Sequence, residues 1–271
     1  MTVLITGSTG LVGSRLLPHL VAAKIDCRVL VRAGIAAPAG VTAVEGDLLN
    51  PASLVAAVDG VDAIVHLAAV LRAPRSEQIW AVNLEGTRNL VAATREHARG
   101  SRFIMASTGL VYDEDSHRPA REDDHVAPTR DYPASKVAAE KLLRESGLNW
   151  SILRYGFVYG DRDGHLSQIP HIAQLLQLHP ANRLSMIHHH DIAVLTKMGL
   201  SGVFDRRIVN AVDDAPMTIF ELGQIIGAPI EPVAAPLTNP WWGVMDGSLA
   251  QSLGFKPELA TTRQAARDGV L

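Results

Sequence analysis

The chain has 271 residues, of which 47% are hydrophobic and 20% charged, enough for one large globular domain with a smaller lobe. A net charge of −3 and scattered Lys and Arg residues argue against a basic surface for nucleic acid or anionic membrane, so we predict neither partner. The single cysteine, Cys27, excludes an internal disulfide. Because neither a leader-like N-terminal segment nor an apolar run of roughly 18 residues is present, we predict a cytoplasmic protein.

The first half of the chain alternates short β-rich apolar runs with longer amphipathic stretches. Strands are predicted over residues 2–6, 27–32, 41–47, 62–69, 102–107 and 150–156. Helices are predicted over residues 11–23, 51–58, 77–97 and 132–145. Continuous Val, Ile and Leu runs separated by helices are typical of parallel strands that are buried on both faces. We therefore predict an α/β fold with a doubly wound parallel (Rossmann) sheet.

The second half of the chain is broken by prolines into shorter elements. The strand-like stretches 185–193 and 207–212 are expected to return to the main sheet. We predict a dinucleotide-binding domain over residues 1–160, with its sheet completed by about 185–211. Residues 161–184 and 212–271 are predicted to form a small C-terminal substrate lobe over the carboxyl edge of the sheet.

A glycine-rich turn follows the first predicted strand. The stretch ITGSTGLVG places Gly7, Gly10 and Gly13 where the first helix begins. This spacing permits a tight reversal at Gly7, close approach of a pyrophosphate at Gly10, and close helix–strand packing at Gly13. A helix N-terminus offers free N–H groups to the anion. A purely structural turn is the alternative, but the strand–turn–helix context favours a dinucleotide site.

The second and third predicted strands end in residues that bear on the choice of cofactor. An Arg after the second strand favours a 2′-phosphate, whereas an acidic residue there favours ribose hydroxyls. The second strand ends at Arg32, so the sequence predicts NADP(H) over NAD(H); a solvated charge is the alternative. Asp47 follows the third strand, where a carboxylate is able to accept the adenine amino group or to cap the next helix.

Two residues at the start of a predicted helix have the spacing of a proton-transfer pair. Tyr132 and Lys136 lie four residues apart and so share one helix face. A phenol has a pKa of about 10, so a base active near neutral pH needs about 4 kcal/mol of electrostatic help, which an ammonium and an oxidised nicotinamide supply. Ser107 and Thr108 follow the fifth strand, where a hydroxyl is placed to hold a substrate oxygen. Spacing alone is equally compatible with the alternative that Tyr132 and Lys136 are two polar residues on a solvated helix face.

The ordered motifs TGSTGLVG, EGDLLNPASL, VDAIVHLAA, NLEGTRNLVAA, MASTGLVY, YPASK and LRYGFVYGDRD resemble those of the extended short-chain dehydrogenases/reductases, in their epimerase/dehydratase branch. The resemblance is close over about residues 2–160 and loose in the tail, where HDIA and LGFKPE still match. It implies an NAD(P)-dependent enzyme with a small-molecule substrate. It also implies a homodimer packed through residues 77–98 and 132–146.

Carried over residue by residue, the resemblance implies that Tyr132 is the catalytic acid/base and that Lys136 lowers its pKa and binds the nicotinamide ribose. Thr108 takes the usual Ser/Thr position, Ser107 is its neighbour, and Asn83 matches the active-region asparagine. The motifs and the resemblance together give the expected cofactor contacts: Gly7, Thr9, Gly10, Leu11, Val12, Gly13, Arg32, Asp47, Leu48, Leu67, Ala68, Ala69, Asn83, Tyr132, Lys136, Tyr155, Gly156 and Val158.

The sequence departs from the family pattern where nucleotide sugars are bound. Phe157 stands where such members often carry Asn, and Leu184 stands where they carry an Arg that grips a diphosphate, with Arg183 one residue out of step. Phe157 and Leu184 weigh against a nucleotide-sugar substrate. Asp113 replaces the usual Gly after Tyr112, a change expected to reshape the active-site rim.

Two features of the tail invite further interpretation. Trp241 and Trp242 are adjacent in a Pro-flanked loop, where they either wall an apolar substrate or anchor a small lobe. The run His188–His189–His190 invites a metal site, but neighbouring strand residues point to opposite faces, so we predict no metal.

Three functions are compatible with these observations. The first is an NADP(H)-dependent oxidoreductase that transfers hydride to or from a carbonyl or alcohol of a small or moderately apolar substrate. The second is a sugar or nucleotide-sugar epimerase or dehydratase that retains its cofactor, although STGLVY lacks the Asp–Glu pair expected of a dehydratase. The third, a non-catalytic cofactor-sensing regulator, is disfavoured because both Tyr132 and Lys136 are present.

Overall fold

A seven-stranded parallel sheet forms the centre of the molecule in the computed structural model, which describes residues 1–112 and 115–271. The strands are β1 (Thr2–Thr6), β2 (Asp26–Val31), β3 (Thr42–Glu45), β4 (Ala63–His66), β5 (Arg102–Thr108), β6 (Asn149–Tyr155), β7 (Phe157–Tyr159), β8 (Arg183–Leu184), β9 (Met186–His188), β10 (Arg207–Ala211) and β11 (Met217–Thr218). The sheet has the order β3–β2–β1–β4–β5–β6–β10, so the winding reverses between β1 and β4. Ligands of open α/β sheets bind at the carboxyl ends of the strands beside such a reversal.

Helices cover both faces of this sheet and build the lobe. They are α1 (Gly13–Ala22), α2 (Val55–Val58), α3 (Ser76–Trp80), α4 (Thr87–His97), α5 (Asp131–Arg144), α6 (Ile169–Leu175), α7 (His189–Leu200), α8 (Ile219–Ile225), α9 (Ser248–Ser252) and α10 (Thr262–Asp268). The single helix predicted over residues 77–97 is divided by a π-helical turn, Ala81–Gly86. Among the described residues, no helix is both long and apolar enough to cross a membrane.

Two hydrophobic cores lie on opposite faces of the sheet. Within β1, Val3 and Ile5 pack in a core with α1 and α7, whereas Leu4 packs in a core with α2, α4 and α5. Successive strand residues point to opposite faces, so an unbroken apolar run is what a strand covered on both sides requires. The doubly wound sheet predicted from the apolar runs is therefore confirmed.

The lobe has its own small core at the carboxyl edge of the sheet. Tyr159, Met186, Ile219 and Leu222 are fully buried there, together with residues of α6 and α10. Two short sheets support this core: β8 pairs antiparallel with β11, and β7 pairs parallel with β9. A cavity between this lobe and the main sheet is lined by several of the predicted site residues.

The two strands expected to return to the main sheet differ in outcome. The stretch 207–212 does return, because β10 pairs with β6. The stretch 185–193 does not: only Met186–His188 is a strand, it pairs with β7, and α7 begins at His189. The side chain of His188 accepts a hydrogen bond from the N–H of His190 and so caps the helix, which ends the strand. Asp113, predicted to reshape the site rim, lies outside the described residues.

Candidate active site

The glycine turn after β1 is shaped by close backbone contacts. Gly7 has a φ of +72°, and a Cβ there would lie 2.7 Å from the backbone nitrogen of Ala68. A Cβ on Gly13 would lie 2.1 Å from the carbonyl oxygen of Gly7. A Cβ on Gly10 would meet only the Gly7 oxygen, at 3.3 Å. Packing thus requires glycine at positions 7 and 13, whereas Gly10 is exposed and presents open backbone.

The N-terminus of α1 has the features of an anion site. Val12 at the N-cap provides no side-chain hydrogen bond, and the first turn contains no acidic residue. The Oγ of Ser8, in the same turn, is buried without a hydrogen-bond partner among the described residues. An unpaired buried hydroxyl beside free helical N–H groups fits a bound phosphate. Exposed Thr9 and Leu11 complete the turn.

Asn83 lies behind the cofactor cleft rather than on its surface. Its side chain is fully buried within the π-helical turn. Its Oδ1 accepts a hydrogen bond from the Val70 N–H at 2.7 Å, and its Nδ2 donates to the Val70 carbonyl and the Ser135 hydroxyl, each at 3.0 Å. Asn83 therefore ties the segment after β4, where Leu67, Ala68 and Ala69 lie, to helix α5.

The residues predicted for the adenosine end stand at the carboxyl ends of neighbouring strands. Arg32 directly follows β2 and is exposed, and Asp47 follows β3, which pairs with β2. The Oδ1 of Asp47 accepts a hydrogen bond from the Leu49 N–H at 2.8 Å, which forms a local turn rather than a helix cap. Leu48 is buried beneath this turn.

A cavity of about 590 Å³ brings the predicted proton-transfer residues together. Ser107, Thr108, Tyr132 and Lys136 all line it. The predicted cofactor contacts that share the same wall are Val12, Leu67, Ala69, Tyr155, Gly156 and Val158. Residues far apart in sequence thus converge on one cavity at the carboxyl edge of the sheet.

Burial governs the ionisation of the central pair. It raises the pKa of Tyr132 to about 12 and lowers the pKa of Lys136 to about 8, the latter opposed by the carboxylate of Glu140. The pKa of Tyr132 is thus raised, whereas the sequence predicted that Lys136 would lower it. A phenol with this pKa is protonated at neutral pH, which suits it to donate a proton rather than to accept one.

A buried polar network lies behind the two hydroxyls. Glu140 and Arg154, both almost fully buried, form an ion pair at 2.7 Å. Ser107 donates a hydrogen bond to Glu140, and Arg154 donates to the Tyr112 hydroxyl at 2.9 Å. The Tyr112 hydroxyl donates in turn to Asn210 at 2.6 Å. The hydroxyl of Ser107 is thus committed to the network.

Thr108 is the hydroxyl that remains to serve the cavity. It accepts a hydrogen bond from the Leu110 N–H at 3.2 Å, which fixes the oxygen and leaves its own hydrogen uncommitted by that bond. Sequence reasoning missed the network; the available signal was Glu140, one helical turn after Lys136 on the same face.

The far wall of the cavity is largely apolar. Phe157, which stacks on His165 with 4.2 Å between ring centroids, lines it. Leu184 also faces the cavity, whereas neighbouring Arg183 is exposed elsewhere. Other apolar wall residues are Leu71, Ile79, Leu110, Ile172, Leu175, Leu176, Leu178, Trp241, Trp242, Val244 and Met245. A second cavity of about 1060 Å³ adjoins it and shares Arg130, Leu175, Leu176, Leu178 and Trp242.

The three consecutive histidines point to three different partners. His188 bonds the Val270 carbonyl at 2.8 Å, and His189 bonds the buried carboxylate of Asp163 at 2.8 Å. His190 lies beside His19, with 4.5 Å between ring centroids. The run therefore does not converge on a single point.

Comparison with known proteins places this site in context. A family model described as the NAD dependent epimerase/dehydratase family matches residues 3–189. Curated relatives include a 4-hydroxy-2-methyl-3-oxo-4-farnesyl-3,4-dihydroquinoline-1-oxide ketoreductase of Stigmatella aurantiaca (31% identical over 60% of this chain and 52% of that protein). A ceramide reductase of Caulobacter vibrioides is 32% identical over 70% of this chain and 58% of the relative. A UDP-glucose 4-epimerase of Azospirillum brasilense is 34% identical over 63% of this chain and 53% of that relative.

Solved structures agree on the fold. A short-chain dehydrogenase/reductase superfamily protein from Agrobacterium tumefaciens, solved with bound NAD, superimposes with a TM-score of 0.81. It is 24% identical, over 99% of this chain and 98% of that one. A Thermus thermophilus UDP-glucose 4-epimerase in complex with NAD gives a TM-score of 0.79 at 24% identity, over 98% and 97%. The chain spans between about half and three fifths of the length of the curated relatives named above.

Proposed function

Because the chain belongs to the NAD-dependent epimerase/dehydratase family, we propose that it is an NADP(H)-dependent oxidoreductase. It transfers hydride to or from the carbonyl or alcohol carbon of a small or moderately apolar substrate. The observation that carries this proposal is the cavity in which Thr108, Tyr132 and Lys136 meet an apolar far wall. A ketoreductase and a ceramide reductase among the relatives support the same reaction class.

The cofactor has a fitting place beside this cavity. The glycine turn, whose Ser8 hydroxyl has no hydrogen-bond partner within residues 1–112 and 115–271, would hold the pyrophosphate, and Tyr155, Gly156 and Val158 would line the nicotinamide end. When bound, the reduced nicotinamide supplies the hydride.

The chain's own residues then position the substrate and move one proton. Thr108 orients the carbonyl oxygen, and the Tyr132 hydroxyl donates its proton to that oxygen as negative charge develops. The ammonium of Lys136 stabilises the resulting phenolate. Asn83 acts only indirectly, by fixing the segment after β4 against α5. The apolar wall excludes water from the reacting centre.

Arg32 supports the preference for NADP(H). A guanidinium bound to a phosphate contributes about 1.5–3 kcal/mol, so Arg32→Ala is expected to raise KM for NADPH by roughly 10–100-fold and to change KM for NADH little. Steady-state kinetics with both cofactors measures this. Arg99→Ala, an exposed residue outside the cofactor cleft, is the control and should leave both constants unchanged. A wild-type protein that prefers NADH would contradict the assignment.

The pKa of Lys136 predicts how activity depends on pH. Below about pH 8 the side chain carries its charge and supports proton donation; above it the charge is lost, so kcat/KM for reduction should fall. Tyr132, with a pKa of about 12, does not titrate in this range. Lys136→Arg keeps a positive charge at all these pH values. The activity that this variant retains should therefore not fall above pH 8. A wild-type profile that stays flat well above pH 8 would refute this reading.

The second candidate is an epimerase or dehydratase that retains its cofactor, favoured by the UDP-glucose 4-epimerase among the relatives. Phe157 and Leu184 at the cavity weigh against it, because neither is able to grip a nucleotide diphosphate. The deciding experiment assays NADPH absorbance and product together against aldehydes, ketones and keto-sugars. Stoichiometric NADPH consumption supports the oxidoreductase, and product without net consumption supports the alternative. Cofactor binding with no turnover would favour a sensor.

We also propose a homodimer packed through residues 77–98 and 132–146, as the family resemblance implies, and light scattering coupled to size-exclusion chromatography tests it. A cytoplasmic location is supported by the single, buried, free cysteine.

A further inference from the structure

Two histidines and a carboxylate converge away from the active-site cavity. The side chains of His19, Asp161 and His190 have ligand atoms that all lie within 4.8 Å of one another, and each side chain is half-buried. They come from α1, from the turn after β7 and from the first turn of α7. Glu258 approaches from the tail, with its Oε2 3.6 Å from Nδ1 of His190. Four parts of the chain thus contribute to one cluster.

Asp161 and His190 are held in place by backbone hydrogen bonds that do not use their ligand atoms. The backbone N–H of His190 donates a hydrogen bond to Nδ1 of His188 at 3.1 Å. The N–H of Asp161 bonds the carbonyl of Val270 at 3.0 Å. Asp161 has a φ of +51°, in the left-handed region that Asp tolerates better than most residues.

The electrostatics of the cluster suit a cation. Neutral imidazole nitrogens and carboxylate oxygens are ligands for divalent metal ions, and the cluster supplies both within a small volume. Asp161 and Glu258 contribute negative charge, which is opposed by Lys197 about two turns further along α7.

We propose that His19, Asp161 and His190 form a binding site for a divalent transition-metal ion such as Zn²⁺, with Glu258 placed to orient His190 or to add a fourth ligand. Two imidazole nitrogens and a carboxylate favour Zn²⁺ or its first-row neighbours over Mg²⁺ and Ca²⁺, which prefer all-oxygen sites. The ion would join α1, α7 and the C-terminal tail.

The site bears on the active-site cavity through the turn that carries Asp161. Two residues further on, Asp163 bonds the N–H of His165 at 2.8 Å and the ring of His189. His165 lines the cavity and stacks on Phe157. An ion bound to Asp161 would therefore restrain the turn that leads to His165 in the far wall of the cavity.

Calorimetric titration of chelator-treated protein with Zn²⁺ tests the proposal. We expect one ion per chain and a rise in melting temperature on binding. Loss of an outer partner alone costs roughly 10–100-fold in metal affinity, so His19→Ala and His190→Ala are each expected to raise Kd by about 100-fold or more. Substitution with Co²⁺ gives visible absorption bands that report nitrogen and oxygen ligands, and these should vanish in both variants.

His97→Ala is the matched control, because His97 lies at the exposed end of α4, outside the cluster. It should bind Zn²⁺ as the wild type does. The melting temperature without metal and the affinity for NADPH establish that each variant is folded. Equal Zn²⁺ binding by wild type and by the double variant His19→Ala/His190→Ala would overturn the proposal, as would loss of binding in His97→Ala. Neither result depends on whether the protein is an oxidoreductase.

Discussion

Replacing Tyr132 by Phe is expected to lower kcat by roughly 10²–10⁴-fold, the usual contribution of a positioned proton donor. The ring remains, so the cavity wall and the affinity for NADPH should change little. Only the hydroxyl proposed to deliver the proton is removed, and burial raises its pKa to about 12, so it is protonated across the neutral range. Single-turnover kinetics with an accepted carbonyl substrate, together with NADPH titration, separates the two effects.

The control for this prediction is Tyr159→Phe. Tyr159 is also a buried tyrosine, but it belongs to the core of the lobe and its hydroxyl has no hydrogen-bond partner among the described residues. The same chemical change there should leave kcat unchanged. If Tyr132→Phe retained wild-type turnover, the proposed proton donor would be wrong, and a cofactor-sensing role would gain support.

The central sheet was predictable because its strands contain short, continuous apolar runs. Runs such as residues 2–6 and 102–107 are apolar at every central position, as burial on both faces requires, and they are separated by amphipathic helices. The stretch 185–193 misled the prediction because its apolar and polar residues resemble a strand on both sides of His188. The helix begins there through a histidine cap, which is not among the residue types that usually mark a helix start.

The predictable part of the candidate site follows the same logic. Gly7, Thr108 and Tyr132 each follow or precede a recognisable element, and the carboxyl edge of a parallel sheet gathers such positions. What the sequence could not reveal is the partner of a buried charge. Glu140 and Arg154 lie on α5 and β6, and Tyr112 and Asn210 join them from segments distant in the chain. Only the folded structure brings these four together.

Glu140→Gln is the substitution that tests whether this network supports the site. The change leaves the guanidinium of Arg154 buried without its counter-charge, and breaking a buried pair in this way costs about 3–5 kcal/mol of unfolding free energy. The carboxylate of Glu140 also raises the pKa of Lys136 against burial, so its loss lowers that pKa. The descending limb of the pH–rate profile should therefore move to lower pH. Denaturant unfolding and the pH profile measure the two effects independently.

Two further variants separate the effect of breaking the buried Glu140–Arg154 ion pair from the effect of breaking any ion pair. Glu85→Gln removes an exposed ion pair with Arg88, whose side chains are 53% and 54% exposed, and should cost less than about 1 kcal/mol. The double variant Glu140→Gln/Arg154→Met removes the stranded charge and should recover part of the lost stability. Its pH limb should stay shifted, because Lys136 still lacks the carboxylate. A Glu140→Gln protein with wild-type stability and an unmoved limb would show that the network does not support Lys136.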